Sequence, residues 1–339
     1  MKKILVTGGL GYIGSHVVVE LQTSGFEVII IDDLSNSSID VLDGIFRITG
    51  IKPILKKIDL KEKELVINFF KSHRDIDGLI HFAASKAVGE SVNDPLKYYQ
   101  NNVSSLVYIL KELQHIKAFK FVFSSSCTVY GQADKLPINE NAEIKEAKSP
   151  YGNTKKIGEQ IIKDLCECND SFSAIALRYF NPIGAHSSGK IGELPIGVPQ
   201  NLVPFITQTA IGIRKELLIF GNDYATPDGT CIRDYIHVVD LAKAHVVALK
   251  RLFEQKKSDN YEVFNIGTGK GSSVLEVVNT FEKATGVNLN YCFVNRRDGD
   301  IISAYADTTK ANKILGWKAQ LSLREALTSA WNWEKNLRK

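Results

Sequence analysis

Short apolar runs alternate with stretches of helical period through the first half of the chain. "KILVTG" reads as a buried strand, and the residues from Tyr12 to Ser24 read as the helix after it. "FEVIIID" is a second strand, "IKPILKKID" a third ending at Asp59, and "GLIHFAA" a fourth, preceded by a helix from Lys61 to Ser72. "FKFVFSSS" is a fifth, and "FSAIALRYF" a sixth after a helix that begins at Pro150. Apolar runs separated by helices in this way are βαβ units and build a parallel sheet. From Pro182 to Thr230 the chain is rich in Gly, Pro and Asn, with one convincing strand, "ELLIFG". "DYIHVVDLAKAHVVALKRL" is then helix-rich, "YEVFNIG" is another strand, and helical patterns dominate from Gly271 onward. The expected architecture is α/β: a doubly wound parallel sheet from residues 1–181 and 233–269. A smaller C-terminal lobe from 182–232 and 270–339 interleaves with it in sequence.

Composition narrows the function classes. The 339 residues suffice for one large or two moderate domains with real cores. At 44% hydrophobic and 24% charged, the chain is folded rather than disordered. A net charge of +4, carried by scattered lysine pairs without interleaved aromatics, argues against nucleic acid as a partner. No apolar stretch reaches bilayer-spanning length, so no membrane association is expected. The opening "MKKILVTGG" breaks its apolar run at glycine after four residues, short of a signal-peptide core. The five cysteines are an odd number without framework spacing. Cys166 and Cys168 lack a matching Cys or His pair at zinc-site spacing, so no metal is expected. A reducing, cytoplasmic setting follows.

"VTGGLGYIGSH" sets Gly9, Gly11 and Gly14 in a G-x-G-x-x-G pattern, with Gly8 three before Gly11. The turn follows a strand and opens a helix. In that context the glycines bring backbone N–H groups and the helix dipole against a pyrophosphate, as in Rossmann-like folds. The second strand ends at Asp32, eighteen residues after Gly14. A carboxylate there accepts hydrogen bonds from the adenosine ribose and repels a 2′-phosphate, which selects NAD over NADP; Asp33 adds to that charge. Asp59 either contacts the adenine or caps a helix starting at Leu60.

"SPYGNTKK" (Ser149 to Lys156) has the marks of a helix start, with Ser149 as N-cap and Pro150 in the first turn. Tyr151 and Lys155 then share one helix face. Upstream, Ser124, Ser125 and Ser126 sit at the carboxyl end of the fifth strand, where open α/β sheets bind their ligands. Together these residues resemble the extended short-chain dehydrogenase/reductase family, which implies a catalytic triad of Ser126, Tyr151 and Lys155. A tyrosine titrates near ~10 in water and is a poor base at neutral pH. A neighbouring ammonium and a cationic nicotinamide both favour its phenolate.

The resemblance narrows further in "HFAASKAVGESVNDPLKYYQNN", "FSSSCTVYG", "LRYFNPIGAH", "GNDY", "DGTCIRDYIHVVDLA" and "NIGTG". Over nearly the whole chain these segments are similar to the UDP-galactose (UDP-glucose) 4-epimerase family. That implies proton removal from the sugar 4-hydroxyl by Tyr151, hydride transfer to tightly bound NAD, and return of both to the other face of a 4-keto sugar. By the same resemblance Gly8, Gly11, Tyr12, Ile13, Gly14, Asp32, Asn36, Asp59, Leu60, Phe82, Ala83, Lys86, Asn101, Ser124, Tyr151, Lys155 and Tyr179 match NAD-binding positions. The UDP-sugar positions are Lys86, Ser126, Tyr151, Asn181, Asn201, Leu202, Phe220, Arg233, Arg297, Asp300 and Ala304. Arginines suit a diphosphate because the guanidinium binds it bidentately. Lys86 either balances a pyrophosphate or is plain surface, and Phe220 either meets the uracil or packs in the core. The family further implies a homodimer through helices beside the fourth and fifth strands.

Dehydratase and decarboxylase relatives carry an acidic residue just after the catalytic serine or threonine. Here Cys127 and Thr128 follow Ser126, which favours epimerase chemistry; a catalytically silent NAD-binding module would need a damaged triad. One departure concerns "GDIISAYAD". Members restricted to UDP-galactose and UDP-glucose resemble "GDLPAYWAD", with tyrosine four residues after the aspartate, where this chain has Ala304. The smaller residue opens space near the sugar C2 substituent and suggests acceptance of UDP-GlcNAc and UDP-GalNAc, unless Tyr305 swings into the gap.

Overall fold

The computed structural model describes residues 1–116, 119–254, 259–297 and 299–338. The chain opens with β1 (Lys3–Thr7), α1 (Tyr12–Thr23), β2 (Glu27–Asp32), α2 (Val41–Thr49) and β3 (Ile54–Lys57). Next come α3 (Lys63–Ser72), β4 (Gly78–His81), then α4 (Val88–Asn93), α5 (Pro95–Tyr99) and α6 (Ser105–Leu113). The sheet continues with β5 (Lys120–Ser126), crosses over through α7 (Pro150–Cys168) and returns as β6 (Ser173–Tyr179). The chain then leaves this sheet through β7 (Asn181–Ile183), α8 (Leu202–Ala210), β8 (Leu217–Phe220), β9 (Ile232–Arg233) and β10 (Tyr235–His237). It re-enters by α9 (Val238–Phe253) and β11 (Tyr261–Ile266). The remainder is β12 (Ser272–Ser273), α10 (Val274–Thr285), β13 (Tyr291–Val294), β14 (Ser303–Ala304) and α11 (Leu323–Leu337).

The expected α/β fold is observed. Seven parallel strands run in the order β11-β6-β5-β4-β1-β2-β3. The order reverses between β1 and β4, so the two strands part their following helices to opposite faces and leave a crevice at their carboxyl ends. Ile4, Val6, Ile30, Val122 and Ile175 face one layer with Val17, Leu21 and Leu249, while Leu5, Ile29, Leu79 and Phe121 face the other with Phe70, Leu110 and Ile162. Alternate side chains of each strand thus feed two cores, which is why the strands read as unbroken apolar runs. A third core, including Val203, Ile206, Ile219, Phe281 and Leu327, belongs to the second lobe. Its helices α10 and α11 each begin with a capping box, Ser273 with Glu276 and Ser322 with Glu325.

Three local differences from the sequence reading have physical causes. The third strand stops at Lys57 and α3 starts only at Lys63, because Asp59 turns the chain by accepting the Lys61 N–H at 2.9 Å. The glycine-rich stretch from residue 182 holds α8 as well as the expected strand. This helix has almost no polar face, and its Pro204 resembles a breaker although it lies in the first turn, where no intrahelical N–H bond is needed. The C-terminal part also contains strands β12, β13 and β14, of two to four residues, too short to show a period.

Candidate active site

The crevice at the β1/β4 switch holds the glycine turn. Gly8 has φ 68°, and a Cβ there would stand 2.9 Å from the Ala83 nitrogen; one at Gly14 would stand 2.2 Å from the Gly8 carbonyl oxygen. Only glycine lets the turn, the end of β4 and α1 come this close. Gly11 is the N-cap of α1 and offers no side-chain cap, so the first N–H groups of the helix remain available to an anion. Asp32, 8% exposed, accepts from the Leu10 N–H (3.0 Å), the Leu34 N–H (3.0 Å) and the Ser37 hydroxyl (2.8 Å). An uncapped helix end beside a nearly buried terminal carboxylate fits a dinucleotide.

Around this turn, Tyr12 donates its hydroxyl to the Gly184 carbonyl at 2.6 Å, tying the crevice to the second lobe. Ile13 packs on the α1/α9 core and Phe82 lies 4.8 Å from the His245 ring. Ala83 and Phe82 follow β4 directly, with the Phe82 N–H donating to the Thr7 carbonyl at 3.0 Å. Asn101 donates to the Ser85 hydroxyl at 2.9 Å. Farther out, Asn36 is exposed on the loop after β2, and Asp59 pairs with Lys61 at 3.3 Å beside the buried Leu60.

The three serines at the end of β5 each have a different partner. The Ser124 hydroxyl meets the Tyr179 hydroxyl at 2.5 Å, the Ser125 hydroxyl donates to Glu159 at 2.5 Å, and Ser126 accepts the Thr128 N–H at 3.2 Å. α7 starts as its sequence requires, with Ser149 accepting the Gly152 N–H at 3.1 Å and Pro150 in the first turn. One turn apart, Tyr151 and Lys155 face β5. Lys155 is 4% exposed, donates to the Ser124 carbonyl at 2.7 Å and stands 6.0 Å from the centroid of the Tyr151 ring.

Burial pushes the Tyr151 phenol well up, Tyr179 adds to that, and the hydrogen bond from Ser126 is the largest opposing influence. Burial also pushes Lys155 down, to about 8, against the attraction of Glu159. Desolvation is the largest influence on both groups. Cys127, beside Ser126, is pushed up to about 12 by burial and is no reactive thiol.

The second lobe closes the other end. Phe220 ends β8 and is 40% exposed, so it is not a core residue; the Arg297 guanidinium lies over its ring at 5.4 Å. Arg233 and Arg297 both converge on Asp300, at 3.6 and 3.0 Å. Asn181 donates its backbone N–H to the Asp234 carbonyl at 2.9 Å, and Asn201 is the N-cap before Leu202 at the start of α8. Ala304 is 2% exposed on β14, paired in register with Arg233, and packs in a cluster with Cys127, Val129 and Phe180. Tyr305 points the other way: a Cβ on Gly271 would stand 3.0 Å from its ring, and its carbonyl accepts the Ile138 N–H at 2.9 Å. The strand pairing on both sides of Tyr305 holds its side chain away from Ala304.

Glu193 is a site residue that the sequence did not signal. It accepts from Asn201 at 2.6 Å and pairs at 3.7 Å with Lys86, which is itself exposed. Nothing in "GKIGELPIGVP" has a period or motif that could have marked it. Among the described residues no helix is long and apolar enough to cross a membrane, and no group of His, Cys, Asp and Glu could hold a metal.

A seven-stranded doubly wound sheet with Ser126, Tyr151 and Lys155 at its carboxyl edge defines an extended short-chain dehydrogenase/reductase. A family model described as GDP-mannose 4,6 dehydratase matches residues 5–330. A UDP-glucose 4-epimerase of Bacillus subtilis (strain 168) is 48% identical over 333 residues, 98% of this chain and 97% of the relative. The crystal structure of UDP-glucose-4-epimerase from Stenotrophomonas maltophila, with bound NAD and formylated UDP-arabinopyranose, superposes with a TM-score of 0.95 at 45% identity, covering 100% of this chain and 99% of that one. The Bifidobacterium longum UDP-glucose 4-epimerase, in complex with NAD+ and UDP, gives 0.93 at 44% identity, covering 99% and 98%. The UDP-Glc/GlcNAc 4-epimerase of Campylobacter jejuni gives 0.84 at 34%, covering 99% and 100%. The chain belongs to the UDP-glucose 4-epimerase family.

Proposed function

We propose that this chain interconverts UDP-galactose and UDP-glucose by inverting C4, using NAD that stays bound. The observation that carries the reading is the intact Ser126–Tyr151–Lys155 constellation followed by Cys127 and Thr128, with no carboxylate at the position where dehydratases eliminate water. NAD, when bound along the glycine turn and Asp32, supplies the acceptor and donor of the C4 hydride. Tyr151 takes the 4-hydroxyl proton as the hydride leaves and returns it after the 4-keto sugar has presented its other face. Ser126, in contact with the phenol, orients that hydroxyl. Lys155 holds the nicotinamide ribose, and its charge, with that of the oxidised ring, offsets the burial that keeps the Tyr151 phenol protonated.

The division of labour follows the expected division of the chain. Residues 1–181 with 233–269 hold the cofactor through the positions from Gly8 to Tyr179, and residues 182–232 with 270–339 hold the UDP-sugar together with Lys86, Ser126, Tyr151, Asn181 and Arg233 of the first unit. Phe220 stacks on the uracil, Arg233 and Arg297 take the diphosphate from Asp300, and Lys86 exchanges Glu193 for a phosphate. A homodimer through α6 and α7 and a cytoplasmic location complete the reading; the free thiols of Cys127, Cys168, Cys231 and Cys292 suit that compartment. The pocket beside Ala304 also admits the N-acetyl group of UDP-GalNAc and UDP-GlcNAc, because a methyl group there removes a steric veto and Tyr305 is held elsewhere.

Purified protein given UDP-galactose or UDP-GalNAc without added NAD, followed by proton NMR of the anomeric region, tests these readings. Conversion of both to their 4-epimers is expected. Conversion of UDP-galactose alone sinks the wide pocket, and conversion of neither, even with NAD supplied, sinks the epimerase.

A further inference from the structure

Behind the triad lies a buried ionic cluster to which no role in the reaction has yet been given. Glu159, 6% exposed, follows Lys155 by one turn of α7. One carboxylate oxygen accepts from the Ser125 hydroxyl (2.5 Å) and the Arg178 Nε (2.9 Å), and the other from Arg178 Nη2 (2.6 Å). Arg178, 4% exposed on β6, also donates to the Tyr130 hydroxyl at 2.9 Å, and Tyr130 donates to Asn265 at 2.7 Å. Every polar atom of the pair is thus occupied.

A buried ion pair of this kind contributes little to stability, since apolar residues of equal volume serve as well or better. Its position gives it another use. The groups facing Lys155 are Tyr151 and Glu159 on its own helix, His81 at the end of β4, the Phe123 ring at 5.1 Å and the Ser124 carbonyl on β5, and Tyr179 on β6 through its bond to Ser124. Burial pushes His81 down to about 3, so at neutral pH it is uncharged, and the two phenols are protonated. Glu159 is the one anion of this set. At i and i+4 on one helix face, and both shielded from water, the carboxylate and the ammonium interact more strongly than an exposed pair.

We propose that Glu159 is a positioning residue of the reaction: clamped by Arg178 and Ser125, it holds the Lys155 ammonium charged and fixes the triad helix against the serine strand. The inference rests on the epimerase reading for its kinetic consequence, although the charge relationship itself does not. Burial drives Lys155 toward its neutral form, and the fixed carboxylate opposes that drift. A neutral lysine would neither favour the Tyr151 phenolate nor offer a full set of donors to a ribose. Arg178 acts in the opposite sense, since it neutralises part of the field that Glu159 projects on Lys155.

Two substitutions of opposite sign test this. In Glu159→Gln the alkaline limb of kcat, set by loss of the lysine proton, should move down by on the order of one pH unit, whereas Glu159→Asp, which keeps the charge, should restore it. In Arg178→Gln the limb should move up. An independent readout uses protein labelled at lysine Cε, in which the resonance absent from Lys155→Met is titrated directly, with or without activity. A limb and a resonance that titrate as in the parent, in whichever of Glu159→Gln and Arg178→Gln yields folded protein, overturn the proposal and leave the cluster a structural tie. Failure of the parent protein to convert UDP-galactose would instead sink the epimerase reading, with the lysine titration still deciding this one.

Discussion

At the triad, Ser126, Tyr151 and Lys155 are carried by a seven-residue strand and a nineteen-residue helix packed together across the main sheet. At the opposite end of the cleft, Phe220 closes a four-residue strand, Arg233 and Ala304 sit on two-residue strands, and Arg297 stands on a loop. Lys155 and the neighbouring Ser125 are locked by buried hydrogen bonds, whereas Phe220 and Arg297 are exposed, Arg233 and Arg297 are held by ion pairs to Asp300, and only Ala304 is buried. On the proposed assignment, chemistry that must place a proton within tenths of an ångström falls to the stiff end of the molecule, and recognition of the sugar falls to elements short enough to change without disturbing the sheet.

The largest test of this contrast is Tyr151→Phe. Loss of a general acid–base group costs about 10²–10⁴-fold in kcat. UDP-sugar affinity, measured by calorimetry, should stay within about twofold, since most of the proposed binding groups lie at the other end; a parallel loss of affinity would break the division. Phe220→Ala should do the reverse. Base–aromatic stacking is worth about 1–3 kcal/mol, so KM should rise roughly tenfold or more while kcat holds. Ala304→Tyr should be more selective, abolishing turnover of UDP-GalNAc while UDP-galactose keeps its kcat/KM within about threefold. Equal loss of both substrates would show that the residue only supports packing around Cys127.

The smallest expected effect concerns pH and the sheet itself. Burial pushes His16 and His81 down to about 3 and His245 to about 4. Each is depressed below its unfolded value of about 6.5, so the unfolded chain binds the extra protons. Their contribution is complete above pH ~6.5 and is lost progressively as pH falls toward about 3. Thermal melts in that window should show Tm falling with acid, and His245→Asn should flatten the slope. An unchanged slope would assign the acid sensitivity to other groups.

The same contrast explains what could be read from the chain. The glycine turn spans seven residues and the Tyr151/Lys155 pair five, so local spacing carries their geometry. Phe220, Arg233, Arg297 and Ala304 are spread over more than eighty residues and assembled by strands too short for a period. Their roles were reachable only through family resemblance. Glu193 and the pairing of Glu159 with Arg178 escaped altogether, since a carboxylate in a loop or on a polar helix looks like surface until its neighbours are known. The third strand ends two residues before Asp59 because Asp59 turns the chain through a local hydrogen bond that competes with the ladder.

The order of the strands has a consequence for ancestry. β11 joins the main sheet only after the chain has laid down β7 to β10, and β9 then waits for β12 and β14 from the far side of β11. A single recombination between two relatives can therefore never exchange one lobe whole. On the role proposed for Ala304, a new sugar preference is reached by point changes at such places, inside a sheet that both lobes share.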